Sequence, residues 1–201
     1  NEGRRSPADQ PLAAGEVRWF RFDLPQAVDE VDDRFLTIDT VGSLLTNPNN
    51  DTEIGLYRAD GSRVTNDDDS GPDLLSQLDF GDGDGNLTAG QYYLAASGFN
   101  TTHNASDFDV RSDSNRTGNI SVNFLYGTDL GTLSEERRSP TDQSLAANQV
   151  RWYRLDLPDG VDQTDNRFLL VDTLGSTLGS ENDTEIGIYR ADGTRVESDD
   201  D

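Results

Sequence analysis

Val17-Arg18-Trp19-Phe20-Arg21-Phe22-Asp23-Leu24 alternates with a period of two, setting Arg18, Phe20, Phe22 and Leu24 on one face and Val17, Trp19, Arg21 and Asp23 on the other. That is the pattern of a half-buried strand, and Pro25, which has no amide proton for a ladder, ends it. Outward from it, strands are readable at Arg34 to Thr40, Glu53 to Arg58, Leu75 to Phe80, Gln91 to Ala96 and Asn119 to Tyr126. Turn chemistry separates them: Ala59-Asp60-Gly61-Ser62 reads as a hairpin turn, and Gly81-Asp82-Gly83-Asp84-Gly85-Asn86 as a glycine-aspartate loop. No window carries a helical apolar period. The expectation is an all-β antiparallel β-sandwich of about eight strands per module, with jelly-roll or immunoglobulin-like layering.

The same strand returns later in the chain. Arg5-Ser6-Pro7 through Asp69 reappears as Arg138-Ser139-Pro140 through Asp201, at an offset of 133 residues that falls to 132 after a one-residue deletion before Asp183. Trp19 matches Trp152, Arg34-Phe35 matches Arg167-Phe168, and Tyr57-Arg58-Ala59-Asp60-Gly61 matches Tyr189-Arg190-Ala191-Asp192-Gly193. A period of this length is a whole small domain. Residues 1–133 then form one complete module, and residues 134–201 the first half of a second, with no counterpart of Leu75 to Tyr126. The apolar set Val150, Trp152, Leu155, Phe168, Leu170, Ile186 and Ile188 would face water, so this half is expected to be completed by further chain or by a neighbouring subunit.

Composition narrows the setting. The chain has 39 acidic residues against 16 basic ones, a formal net charge of −23, and every basic residue is Arg. Such a surface stays hydrated and repels its neighbours, which makes nucleic acid and anionic membranes poor partners. With no Cys, a disulfide frame, thiolate metal site and cysteine nucleophile are excluded. Met is absent too, which suits an exposed extracellular existence. No run approaches the roughly 20 apolar residues of a membrane-spanning helix, and no secretory leader opens the sequence, so the N-terminus reads as mature or internal.

Several clusters invite chemical readings. Asp67, Asp68, Asp69 and Asp73, with Asp82 and Asp84, offer oxygens at spacings suited to a hard cation such as Ca²⁺, although Asp also simply favours turns. Asp39 and Asp172, at the ends of equivalent strands, are either further ligands or loop caps. His103, the only histidine, lies in a polar loop and is expected to be neither part of a triad nor a zinc ligand. Trp19 and Trp152 are a sugar-stacking platform, an inter-module contact or, as favoured here, residues packed over one sheet edge with Arg21 or Arg154 stacked alongside. Sequons for N-glycosylation occur at Asn50, Asn86, Asn100, Asn104, Asn115, Asn119 and Asn182. Those are seven of 14 asparagines, where Ser/Thr content alone would place about two, so glycosylation is expected.

Trp19 to Pro25, Asp51-Thr52-Glu53-Ile54-Gly55-Leu56-Tyr57-Arg58-Ala59-Asp60-Gly61, Asn66-Asp67-Asp68-Asp69-Ser70-Gly71 and Leu87-Thr88-Ala89-Gly90-Gln91-Tyr92-Tyr93-Leu94-Ala95-Ala96 together resemble the bacterial pre-peptidase C-terminal type of domain. The likeness covers most of residues 16–99 and departs after Gly98, where Asn100 to Asn119 is a long polar insertion. It implies a non-catalytic β-sandwich repeated in surface proteins or appended to secreted enzymes, with relatives that bind calcium and extracellular matrix. The expected function is an extracellular structural repeat protein that forms a surface filament, sheath, stalk or adhesin by self-association or further copies. The alternative is a polysaccharide- or matrix-binding accessory module of a secreted hydrolase.

Overall fold

The structure, a computed structural model, describes residues 3–29, 31–46, 49–81, 83–133, 144–147, 149–157, 169–174, 176–178 and 183–199. The chain runs β1 (Gly3–Arg5), β2 (Gln10–Leu12), β3 (Arg18–Leu24), β4 (Arg34–Asp39), β5 (Leu44–Thr46), β6 (Thr52–Arg58), β7 (Arg63–Asp67) and β8 (Gln77–Phe80). It continues with β9 (Gly90–Gly98), β10 (Thr101–His103), β11 (Val110–Ser112), β12 (Thr117–Ile120), β13 (Asn123–Thr132), β14 (Tyr153–Asp156), β15 (Ile186–Tyr189) and β16 (Arg195–Asp199). One sheet has the order β1-β13-β4-β8, the facing sheet β3-β9-β6-β7, and a small sheet β2-β12-β5 closes one end. The protein is all-β, of β-sandwich type.

The core lies between the two large sheets. Leu36, Ile38, Leu78, Phe80, Phe124 and Tyr126 of the first meet Leu24, Ile54, Leu56, Tyr92, Leu94 and Ala96 of the second. In β3, Phe20, Phe22 and Leu24 turn inward and Trp19, Arg21 and Asp23 outward, so the alternation is realised as read. The strand from Asn119 to Tyr126 is instead two, β12 and β13, broken at Ser121-Val122 as the chain crosses from the small sheet to the large one.

Both faces of β6 are buried, and the insertion explains it. Residues 100–113 form the β10-β11 hairpin, which folds over the outer face of the second sheet. Tyr57 donates through its hydroxyl to the Asn104 carbonyl at 3.2 Å, and Arg63 N–H donates to the Ala105 carbonyl at 2.9 Å. Gly55 faces this flap, and only glycine fits: a Cβ there would lie 2.2 Å from His103 Nδ1. Gly55→Ala is therefore expected to cost about 1–3 kcal/mol, the scale of overpacking. His103→Ala in the same chain should recover part of that loss in urea unfolding, because the two side chains compete for one space.

The β6-β7 hairpin and its later copy are superimposable in register. Ile54 pairs with Asp67, Leu56 with Thr65 and Tyr57 with Arg63. Ile186 pairs likewise with Asp199, Ile188 with Glu197 and Tyr189 with Arg195, with the irregularity at the same step. Trp19 and Tyr57 rings stand 5.5 Å apart at 58°, and Trp152 and Tyr189 rings 5.5 Å apart at 55°. The surroundings differ. β3 pairs antiparallel with β9, whereas its copy β14 pairs parallel with β13. The proposed module boundary after residue 133 abuts residues 134–143, outside those described.

Candidate functional site

Asp51 immediately precedes β6, and Asp68 and Asp69 immediately follow β7. Because Ile54 pairs with Asp67 in the antiparallel ladder, these two strand ends lie side by side. One carboxylate oxygen from each of Asp51, Asp68 and Asp69 lies within 4.8 Å of the others. Asp51 is held from the opposite side: the Arg116 guanidinium donates to its Oδ2 at 2.8 Å, and to Asn49 Oδ1 at 2.8 Å. Arg116 is itself buried, with its guanidinium 5.3 Å from the Phe99 ring centroid. Asp51 Oδ1 and Asp68 Oδ1 are both buried without a hydrogen-bond partner. An unsatisfied buried polar atom costs about 1–3 kcal/mol, and more when charged.

Glu53, two residues along the same strand, completes an acidic surround. Burial pushes its carboxyl up to about 7, opposed by the hydrogen bond from Thr101 N–H and reinforced by the charges of Asp68 and Asp51. Asp68 is pushed up to about 6, by burial first and then by Asp69, Asp51 and Asp67. Asp51 is raised by burial against the pull of Arg116. All three shifts come first from burial, and the neighbouring carboxylate charges add to it. Such a set of oxygens, open to solvent at exposed Asp69, can hold a hard cation.

Only part of the expected ligand set is here. Asp67 turns away and caps its own loop, accepting from Ser70 N–H at 3.1 Å and Gln77 N–H at 2.8 Å. Asp84 accepts from Asp79 N–H at 2.7 Å, Asp73 is exposed with φ +60°, and neither joins the cluster. Asp82 lies outside the described residues. Asp39 caps a loop, accepting from Val41 N–H at 2.9 Å and Asn123 Nδ2 at 2.7 Å. Asp172 does the same for Leu174 N–H at 3.1 Å. Asp51 and Glu53 escaped the reading by runs of Asp. Their signal was the Asp51-Thr52-Glu53 alternation at a strand start, repeated as Asp183-Thr184-Glu185.

The other expectations divide. Trp19, 41% exposed, packs its ring against Tyr57 and Phe108 rather than Arg21. Arg154 stacks on Phe35, 5.1 Å from the ring centroid, and pairs with Asp129. Asn86, Asn100, Asn115 and Asn119 are exposed. Asn50 is half-buried with both amide ends engaged, to Leu45 N–H and the Ser43 carbonyl, and Asn104 Nδ2 donates to Asp109 at 2.8 Å. Asn182 lies outside the described residues. His103 is buried beneath the flap, neither ring nitrogen having a hydrogen-bond partner, and no nucleophile is paired with it.

No family model, curated protein or solved structure matches this chain. The functional reading therefore rests on its own residues and their geometry. Among the described residues, no helix is long and apolar enough to cross a membrane.

Proposed function

We propose that this chain is a non-catalytic, extracellular structural repeat protein whose β-sandwich modules join into a surface filament, sheath or stalk. One observation carries the reading: equivalent positions are buried in the first copy and open in the second. Leu12 is 4% exposed and its counterpart Leu145 is 40%; Tyr57 is fully buried and Tyr189 is 45% exposed. In the first copy these positions are covered by residues 70–133. The hydroxyl pair Thr40–Thr52, 2.7 Å apart, is completed there by Ser76, whereas the matching pair Thr173–Thr184, also 2.7 Å apart, has no Ser76 equivalent in its own copy. Apolar side chains of this size are each worth about 1.5–3 kcal/mol on burial, so contact with further β segments of the same type would stabilise them. The acidic surface, the lack of sulfur residues and the four exposed sequons support a place outside the cell.

The test adds what is missing. The chain of residues 1–201 is expected to bind a hydrophobic dye and to associate as concentration rises; appending a second copy of residues 70–133 after Asp201 should suppress both. A chain that stays monomeric and dye-free without the addition would overturn the reading. The second reading, polysaccharide binding, is favoured by the half-open Trp19 ring beside Phe108. Quenching of Trp fluorescence by a soluble polysaccharide, abolished in Trp19→Ala, would select it.

A further inference from the structure

We propose that Asp51, Asp68 and Asp69, with Glu53 at the rim, form a binding site for one divalent hard cation, of which Ca²⁺ is the best fit. The cluster alone would not carry this, since acidic groups gather on many surfaces. The deciding observation is Asp51, 6% exposed, whose Oδ2 is anchored by Arg116 while Oδ1 is buried with no hydrogen-bond partner. Asp68 Oδ1 is buried and unpartnered in the same way. Native structures rarely leave such atoms unmatched, and two carboxylates with one bare oxygen each, gathered with a third, call for a positive species between them. The Arg116 guanidinium already gives Nη2 to Asp51 Oδ2 and Asn49 and Nη1 to Asn115.

The ligand chemistry points to Ca²⁺ over Mg²⁺ or a transition metal. All donors are carboxylate oxygens, with no His or Cys, which disfavours zinc and copper. They come from two strand ends at irregular spacing, and Ca²⁺ tolerates irregular shells of six to eight oxygens where Mg²⁺ demands a near-ideal octahedron. Exposed Asp69 leaves a side open for water ligands and for entry. All four residues recur in the second copy as Asp183, Glu185, Asp200 and Asp201, but Arg116 belongs to the half with no second counterpart. Asp183 and Glu185 are exposed, unlike Asp51 and Glu53 of the proposed site.

The test is calorimetric titration of the chelator-treated full chain with CaCl₂ at low salt. The expected result is one saturable site with a Kd between about 10⁻⁵ and 10⁻³ M, the range of sensor and extracellular sites. Asp68→Asn should weaken it at least about tenfold, and Asp69→Ala, at an exposed position where folding is not at stake, should weaken it measurably. Asp84→Asn, outside the cluster, should leave it unchanged. At one Ca²⁺ concentration the unfolding temperature should rise for the unaltered chain and for Asp84→Asn, and rise less for Asp68→Asn. Absence of saturable binding, or binding equally tight in Asp68→Asn and Asp69→Ala, would overturn the proposal.

Discussion

Arg116→Ala is expected to lower the stability of the chain by about 3–5 kcal/mol, the cost of stripping one partner from a buried ion pair. The Asp51–Arg116 pair is closed at 2.8 Å with both side chains 9% exposed. Truncation would leave both Asp51 oxygens buried and bare, beside Asp68, in a site already too negative. It would also open a hole: Arg116 packs against Gly98 so tightly that a Cβ there would lie 2.6 Å from Arg116 Cγ, which the truncation removes. Asp51→Asn in the same chain removes the orphaned charge and should recover roughly half of the loss, leaving the packing deficit. Urea midpoints of the two single variants and the double variant measure this. An Arg116→Ala chain within about 1 kcal/mol of the unaltered protein would mean the pair behaves as a surface bridge.

This pair shows what a sequence can and cannot disclose. Asp51 and Arg116 are 65 residues apart, and nothing in the pattern around Arg116 distinguishes it from the other arginines. By contrast β3, β6 and β9 were legible, since each carries inward apolar residues at period two and their ladders need no further information. The short strands β5, β7, β10 and β11 were not, because three to five residues are too few to establish a period of two. The flap was the largest omission. Its ordering depends on Tyr57, Gly55 and Arg63 of another hairpin, and a polar loop gives no sign of what it will cover. Among the acidic residues, Asp68 and Asp69 gather with Asp51 while Asp67 does not: local donors, Ser70 and Gln77, engage its carboxylate, as Asp side chains at turns commonly allow. The repeat was legible in full, and the sharing of register between the β6-β7 and β15-β16 hairpins follows from their near-identical turns.

His103→Phe should separate from the unaltered protein as pH falls. The imidazole is buried under the flap against Gly55, with the Tyr57 ring centroid 6.4 Å away and the Arg63 guanidinium donating to the His103 carbonyl. Burial first, and the Arg63 charge second, lower its pKa to about 4 from the ordinary 6.5. The unfolded chain therefore takes up a proton below about pH 6.5 that the folded chain refuses until about pH 4, so stability is lost across that window and levels off below it. At about 1.36 kcal/mol per unit, the loss approaches 3 kcal/mol. Glu53 and Asp68 act in the opposite sense: their raised folded pKa values weaken the native state at high pH and relieve it as pH falls. Both groups remain in the variant and cancel in the difference. At pH 7.5 the two proteins should lie within about 1.5 kcal/mol, as size-conserving core exchanges do. By pH 4 the balance should have moved by about 3 kcal/mol in favour of the variant, and exchange protection of the β10-β11 amides should fall in the unaltered chain alone. Stability curves that run parallel from pH 7.5 to 4 would show that His103 titrates freely, and the flap could not then be the sealed cover that its contacts describe.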